Sequence, residues 1–328
     1  MRTRIMTFLV ATVVALTIGL GGSLQGAWAQ AYPAKLIKII VPSPPGNTMD
    51  IQSRLIAPTL IERLGKPVIV ENRAGAGGVL GMNLAAKTPP DGYTIAASQG
   101  GHLCVLPHTS KGVQYDPIKD FAAIALTTLN YQVIYTGAGQ SFKTLPEMIA
   151  YAKANPGKLT VAHSGTGGFS HLAFEHLARM GGFTYTHVPY KGASEVITAA
   201  LNGEVQVAIG GSAAVMAPVR AGRLTLLAVT SKNRVASLPD RPAAAEFVPG
   251  YEAPGWFGFV APTGTPKEIV DRLNAEINRA MALPDVTEKM AAQEMAVVNE
   301  SPKQFEELIK SDYVKYGKLV RDIGFKPQ

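Results

Sequence analysis

The sequence predicts an α/β protein with two lobes, and three observations support this fold class. Short apolar runs typical of strands alternate with amphipathic segments of about 8–15 residues, which favours βαβ units and mainly parallel sheets. The alternation occurs in two series, over residues 36–105 and 159–230, with apolar or proline-rich stretches between and after them. The chain of 328 residues is long enough for two domains.

The N-terminal segment is expected to be a cleaved signal peptide over residues 1–29. Arg2 and Arg4 precede an almost wholly apolar run over 5–20, and a small-x-small site ends at Ala29. This order is typical of secretory signals. The apolar run is shorter than the ~20 residues that a membrane span needs, so we expect cleavage near Ala29 and export.

The first series predicts the elements of lobe 1, and the apolar stretches that follow it predict a passage to lobe 2. Helices over 266–283 and 302–322 are expected to pack back on lobe 1. The chain is therefore expected to cross near 125–135 and again near 250–258, so that lobe 1 comprises 30–127 plus 255–328. The predicted strands are 36–41, 68–70 and 94–97, and the predicted helices are 50–64 and 79–87.

The second series predicts lobe 2 over residues 128–254. Each apolar run is followed by a segment with helical periodicity, as parallel strands joined by crossover helices require. The predicted strands are 159–162, 185–188, 205–209 and 224–229, and the predicted helices are 145–154, 171–180, 195–201 and 214–221.

Charge and cysteine content exclude several classes of function. The net charge is +7, but the basic residues are scattered rather than clustered, so no nucleic-acid partner is expected. The single cysteine, Cys104, excludes an internal disulfide, and we expect it to be a buried small apolar residue. The glycines at 75 and 77 match a dinucleotide-binding loop only in part, so no cofactor is expected.

The loop after the first strand is the leading candidate for a binding site. Ligands of open α/β sheets bind beyond the carboxyl ends of the strands, and the N–H groups at a helix start favour an anion. Gly46 would let the ligand approach the backbone, Asn47 would bring an amide and Thr48 a hydroxyl. The alternative is a simple helix N-cap by Asn47 or Thr48.

Two further strand ends offer similar groups. Ser98 and Gln99 follow the third strand and are secondary candidates, because an ordinary polar turn explains them equally well. The second lobe has a glycine-rich loop between its first strand and helix, and a ligand held by both lobes would contact it. The candidate residues in this loop are Ser164, Gly165, Thr166 and Gly168.

Catalytic and metal-binding signatures are not evident in the sequence. The G-x-S-x-G elbow of serine hydrolases does not occur. His171 and His176 stand at i and i+5, whereas zinc on one helix face prefers i and i+4, so no metal site is expected. Asp50 is expected to pair with Arg54 as a structural contact, and Asn72 and Arg73 to be structural polar residues.

A series of motifs along the whole mature chain resembles the Bug family, the periplasmic solute receptors of tripartite tricarboxylate transporters. The most diagnostic motif is VENRAGAGG at 70–78. The others are YP at 32–33, IKIIVP at 37–42, PG at 45–46, PDGY at 90–93, YD at 115–116, DF at 120–121, NPGKL at 155–159, SG at 164–165, HL at 171–172, HVPYKG at 187–192, WFG at 256–258, AP at 261–262 and GTP at 264–266.

The resemblance implies a type II periplasmic-binding-protein fold, in which two lobes close on a small ligand, usually a carboxylate. It also implies membrane permease subunits as partners and no catalysis. Asn47 replaces a common glycine, and Ala200 and Gln206 replace common acidic residues. The second-lobe loop often reads Gly-x-Gly-Ser, whereas here Gly167 is followed by Gly168 and Phe169. Phe169 and these neutral positions suggest an organic anion that is aromatic or partly apolar.

Two other functions stay open at this stage. An extracytoplasmic sensor that passes its ligand signal to another protein would have the same sequence features as a transport receptor. A secreted hydrolase is disfavoured, because no residues with the required motif geometry are evident.

Overall fold

The computed structural model describes residues 32–235 and 237–327. Two mixed β-sheets, each covered by helices on both faces, form two lobes. The predicted signal peptide lies outside the described residues. Within the described part of the chain, no helix has both the length and the apolar character required to cross a membrane.

The elements follow the predicted alternation closely. Additional short elements are 3-10 turns at Ala76–Gly78 and Ala244–Glu246 and a π-helical turn at Gly101–Val105. In chain order the strands are β1 (Ile37–Val41), β2 (Val68–Asn72), β3 (Thr94–Gln99), β4 (Phe121–Asn130), β5 (Gln132–Gly137), β6 (Thr160–Ser164), β7 (Thr186–Tyr190), β8 (Val207–Gly211), β9 (Leu224–Val229), β10 (Gly255–Pro262) and β11 (Ala296–Val297). The helices are α1 (Thr48–Leu64), α2 (Val79–Ala86), α3 (Leu106–Thr109), α4 (Leu145–Ala154), α5 (Phe169–Gly181), α6 (Ala193–Asn202), α7 (Ser212–Arg220), α8 (Lys267–Met281), α9 (Pro284–Ala291) and α10 (Pro302–Asp322).

The strands form two separate sheets. The first has the order β11-β4-β10-β3-β1-β2, and the second has the order β7-β6-β8-β5-β9. The chain therefore leaves the first sheet between β4 and β5 and returns between β9 and β10, as predicted. The precise lobe boundaries at 127/128 and 254/255 stay a prediction.

The expectation of mainly parallel sheets is wrong. Strands β1, β2 and β3 pair in parallel, as do β6, β7 and β8, because each is joined to the next by a crossover helix. The crossing strands β4, β5, β9 and β10 pair antiparallel with their neighbours. Strands β5 and β10, by which the chain enters each lobe from the crossing point, run against the parallel strands, whereas β4 and β9 run in the same direction as the parallel strands.

The C-terminal helices pack on the first lobe, as predicted. Helix α8 buries Leu273 and Ile277 in the same core cluster as α1 and β1. Helix α10 buries Phe305 and Tyr316 on the other face of that sheet, in a cluster that includes Trp256 of β10. Cys104 is also buried in this second cluster, as expected, and burial raises the pKa of its thiol well above the usual value.

Candidate functional site

The carboxyl ends of the parallel strands of both sheets face the point where the chain crosses between the lobes. In the first sheet, the register places Gln99, at the end of β3, opposite Phe257, near the start of β10. In the second sheet, Gln132, at the start of β5, pairs with Gly211, at the end of β8. Since β4 ends two residues before Gln132, the strand-to-helix loops of each lobe lie on the side where the chain crosses to the other lobe.

The first-lobe loop turns into α1 at Gly46 and Asn47. Gly46 adopts a left-handed φ of +80°, which glycine tolerates without strain. Asn47 is the N-cap of α1, and its Oδ1 accepts a hydrogen bond from the Met49 N–H at 3.1 Å. The predicted capping alternative is therefore present, and the Asn47 side chain is exposed. Thr48 is the first residue of α1.

A buried carboxylate holds this loop in place. Asp50 accepts hydrogen bonds from the Gly46 N–H, from Arg54 Nε and from Asn72 Nδ2, each at 2.9 Å. Asn72 also donates to the carbonyl oxygen of Ser43 at 3.1 Å. The predicted pairing of Asp50 with Arg54 and the structural role of Asn72 are thus confirmed. The sequence did not reveal that these residues brace the Gly46 loop.

The surroundings of Asp50 keep it ionised. Burial acts to raise the pKa of Asp50, but hydrogen bonds from Arg54, the Gly46 amide and Asn72 outweigh burial and hold that pKa below its ordinary value of 3.8. Arg54 neutralises the charge, since its Nε lies 2.9 Å from the carboxylate. The negative charge of Asp50 is therefore compensated beside a helix start that would otherwise attract an anion.

Ser98 and Gln99 lie at the end of β3, at the level of the cleft. Ser98 is fully buried, and its hydroxyl has no hydrogen-bond partner among the described residues. Gln99 is half-buried and places its Nε2 3.2 Å from Nε2 of His102. Gln99 therefore has the more accessible side chain of the two.

The second-lobe loop exposes the residues that the sequence singles out. Ser164 and Thr166 are exposed, and Gly165 adopts a left-handed φ of +92° with open space around its Cα. Gly168 is the N-cap of α5 and forms no side-chain cap, so side chains leave the first amides of α5 unoccupied. The loop can therefore offer hydroxyls and backbone N–H groups to an acidic ligand.

The same kind of helix start occurs three times in the second lobe. Gly168, Gly192 and Gly211 are the N-caps of α5, α6 and α7, and none of these helices has a side-chain cap. Each helix follows the carboxyl end of a neighbouring strand in one sheet. Sequence reasoning identified Gly168 but missed Gly192 and Gly211, although each of these glycines lies three residues before a predicted helix.

Three histidines meet behind the second-lobe loop. His163, His171 and His187 each place a ring nitrogen within 4.8 Å of the other two. Two of them bond to the loop: His163 Nδ1 donates to the Gly165 carbonyl at 3.1 Å, and the Gly167 N–H donates to His171 Nδ1 at 3.0 Å. Spacing along one helix could not reveal this cluster, because the residues come from two strands and a helix.

The residues that suggested an aromatic ligand do not line the cleft in the expected way. The Phe169 ring packs edge-on against Tyr316 of α10, with ring centroids 5.7 Å apart. Gln206 lies before the amino end of β8, where it bonds to the Thr160 N–H, and Ala200 is buried near the C-terminal end of α6. The inference of an aromatic preference from these positions is therefore not supported.

Comparison with known proteins identifies the chain. The family model of the tripartite tricarboxylate transporter family receptor, TctC, matches residues 52–325. The chain belongs to this family. The predicted resemblance and the periplasmic-binding-protein fold are therefore confirmed, and the TctC-family chain is a periplasmic solute-binding receptor rather than an enzyme.

Relatives of the receptor align over nearly its whole length. Protein BugT of Bordetella pertussis is 34% identical over 98% of this chain and 99% of its own length. Rpa4515 of R. palustris, solved with adipate, is 29% identical with a TM-score of 0.75, covering 90% of this chain and 100% of that one. MatC of Rhodopseudomonas palustris, solved with bound malate, is 28% identical with a TM-score of 0.72, and the alignment covers 88% of this chain and 100% of MatC.

Proposed function

We propose that this receptor captures a small organic carboxylate in the cleft between its lobes and delivers it to the membrane permease subunits of a tripartite transporter. The observation that supports this proposal is the set of helix starts: α1 of the first lobe and three helices of the second lobe without side-chain caps each begin after a strand end on the side where the chain crosses between the lobes. Helix N-termini bind carboxylates through their N–H groups and dipoles. The relatives solved with adipate and malate support the same ligand class.

The ligand contacts are assigned to uncharged residues of both lobes. In the first lobe these come from Gly46, Asn47 and Thr48, and Ser98 and Gln99 contribute from the end of β3. In the second lobe the carboxylate meets Ser164, Gly165, Thr166 and Gly168. Lobe closure is a hinge motion in which the ligand binds the closed state more tightly and shifts the population toward it. Export by a cleaved signal peptide over residues 1–29 is part of this proposal.

The ligand class can be tested by a thermal-shift screen of mono-, di- and tricarboxylates, with aromatic acids included. A carboxylate present at 100 times its Kd should add about 2.7 kcal/mol to the free energy of unfolding and raise the melting temperature. Neutral amides of the same acids should have no effect. A screen in which no organic acid raises the melting temperature would remove the support for a carboxylate receptor.

The role of Asn47 can be separated from its role as a cap by the substitution Asn47→Asp. Aspartate keeps an oxygen for the N-cap, so stability should be retained, whereas a negative charge at the cleft should weaken carboxylate binding at least tenfold. Gln140→Glu is a matched control, because it adds the same charge after the far end of β5. Equal ligand affinity in the Asn47→Asp and Gln140→Glu variants would exclude Asn47 as a ligand contact.

A further inference from the structure

The three histidines behind the second-lobe loop have a geometry that solute binding does not require. His163 lies on β6, His171 on α5 and His187 on β7, so a sheet and its covering helix position them independently. Their rings stack, with centroid distances of 4.4 Å between His163 and His171 and 4.9 Å between His171 and His187. Such a cluster of imidazoles on rigid elements is unusual unless the nitrogens share a task.

The hydrogen bonds of His163 fix its tautomer. Its Nδ1 faces the Gly165 carbonyl and must donate, so its Nε2 carries a lone pair. This Nε2 lies 3.3 Å from Nδ1 of His187. Two imidazole nitrogens bound to one tetrahedral Zn²⁺ at 2.0–2.1 Å are separated by about the same distance. Metal-binding histidines commonly donate their other N–H to a backbone carbonyl, as His163 does.

His187 and His171 can complete the ligand set. His187 is exposed on the edge strand β7, and its Nδ1 donates to His163 Nε2, so metal binding through Nδ1 requires the tautomer that carries the His187 proton on Nε2. His171 uses its Nδ1 lone pair for the Gly167 N–H, and a metal ion would compete with that hydrogen bond. Occupation of the cluster would thus be felt in the Ser164–Gly168 loop.

The surroundings favour neutral imidazoles and give access to solvent. Burial, with a smaller contribution from the neighbouring rings, lowers the pKa of His163 to about 3 and that of His171 to about 4. A cavity of about 490 Å³, lined by His171, His187, Thr166 and Glu175 among others, opens beside the cluster.

We propose that His163, His171 and His187 bind one divalent transition-metal ion, with a fourth position open to water from the adjoining cavity. Three imidazoles suit Zn²⁺, Ni²⁺ or Cu²⁺, whereas Mg²⁺ and Ca²⁺ prefer oxygen ligands. Three protein ligands and one open position match the geometry of exchangeable zinc sites. This site goes beyond solute binding, and its three ligands are not among the residues assigned to the carboxylate.

The test is calorimetric titration of ZnCl₂ into the chain, purified without a polyhistidine tag and freed of metal with EDTA. We expect one Zn²⁺ per chain, and at least tenfold weaker binding in His187→Ala. His176→Ala is the matched control: this half-buried histidine of α5 lies against Tyr251, away from the cluster. MgCl₂ at the same concentration should give no binding heat.

A second measurement guards against a folding defect. His187 is exposed, so the metal-free His187→Ala variant should melt at the wild-type temperature. With Cu²⁺ bound, the electron paramagnetic resonance spectrum should show nitrogen couplings in the wild type and not in His187→Ala. Wild-type Zn²⁺ affinity in His187→Ala, or an equal loss of affinity in His176→Ala, would overturn the proposal. So would the failure of Zn²⁺ to bind the wild-type chain.

Discussion

The two loops that face the cleft are held in different ways. In the first lobe, the ionised Asp50 takes hydrogen bonds from the Gly46 amide, Arg54 and Asn72, and a side chain caps α1. In the second lobe, neutral histidines contact the loop at Gly165 and Gly167, and α5 has no side-chain cap. One loop is fixed by charge, whereas the other is held by uncharged groups and leads into a helix whose first amides have no side-chain cap.

This difference has a consequence for how the lobes share the work of binding. A loop whose amides are already occupied, as at Met49, binds through side chains and the helix dipole, and it is preorganised before the ligand arrives. A helix start without a side-chain cap, as at α5, keeps amides that a ligand can occupy. On the function proposed above, the first lobe is preorganised for the carboxylate, and the second gains hydrogen bonds when the ligand is bound.

Removal of the Asp50 charge, which holds the first-lobe loop, should have the largest effect on the free energy of unfolding. We expect Asp50→Ala to lower the free energy of unfolding by about 2–4 kcal/mol, because hydrogen bonds to a charged group contribute about 1.5–3 kcal/mol each and several are lost. Urea denaturation measures this difference. Ligand affinity should fall as well, because the Gly46 loop is released.

A surface ion pair supplies the control for Asp50. Asp271 pairs with Lys267 at i and i+4 on α8, and both side chains are largely exposed, so Asp271→Ala should cost less than about 1 kcal/mol. Similar losses in Asp50→Ala and Asp271→Ala would show that the first loop does not depend on its buried carboxylate.

In the second-lobe loop, the free energy of unfolding should instead depend on the glycines that adopt a left-handed conformation. Gly167 has a φ of +74°, and an added Cβ would lie 2.5 Å from the Phe325 ring. We expect Gly167→Ala to cost about 1–3 kcal/mol, since the left-handed conformation alone costs about 1–2 kcal/mol. Gly165→Ala, where φ is +92° with open space, should show the conformational cost alone.

Thermal denaturation compares these variants with Gly139→Ala, a position without positive φ or close neighbours. If Gly167→Ala and Gly139→Ala were equally stable, the Phe325 contact would not restrict the loop.

The side-chain cap of α1 should have a smaller effect. Asn47→Ala removes the acceptor for the Met49 N–H and should lower the free energy of unfolding by about 1 kcal/mol. Asn47→Gly should cost only a few tenths of a kcal/mol, because glycine is a tolerated N-cap. Chemical denaturation of the two variants distinguishes these outcomes, and equal losses would argue against a capping role.

The smallest effect should be seen in the pH dependence of stability. The pKa of Asp50 is lowered in the folded state, so its contribution is fully present above its unfolded value of 3.8 and is lost as the pH falls through the folded value. The stability difference between the wild type and Asp50→Asn should therefore narrow below about pH 4. A difference that stayed constant or widened on acidification would contradict the lowered pKa.

Much of this architecture could be predicted from local patterns. The helix predicted over 145–154 and the strand predicted over 224–229 have the bounds of α4 and β9, because their periodicity and flanking turn residues are strong local signals. The direction of the crossing strands could not be predicted, because it depends on how the chain enters each lobe. The turn at Gly101–Val105 was missed because Gly100 and Gly101 resemble a loop.

The loops of the candidate site could be predicted from the sequence, but the side-chain contacts that hold them could not. Strand-to-helix loops rich in glycine indicated Gly46 and Gly168, since such loops collect at one edge of a sheet. The contacts of Asp50 with Asn72 join residues of different elements, and the histidine cluster joins β6, β7 and α5. Such contacts follow from tertiary packing, which single-sequence patterns do not specify.

The contact between Phe169 and Tyr316 joins the start of α5 in the second lobe to α10 of the first. Any movement that separates these helices has to break an aromatic pair, which contributes about 0.5–1.5 kcal/mol. In the proposed hinge motion, this pair therefore stabilises whichever form keeps the two helices in contact. Substitutions at Tyr316 would therefore change the apparent ligand affinity by about two- to tenfold, although Tyr316 is not among the assigned ligand contacts. Such variants could serve as biosensors with different concentration ranges.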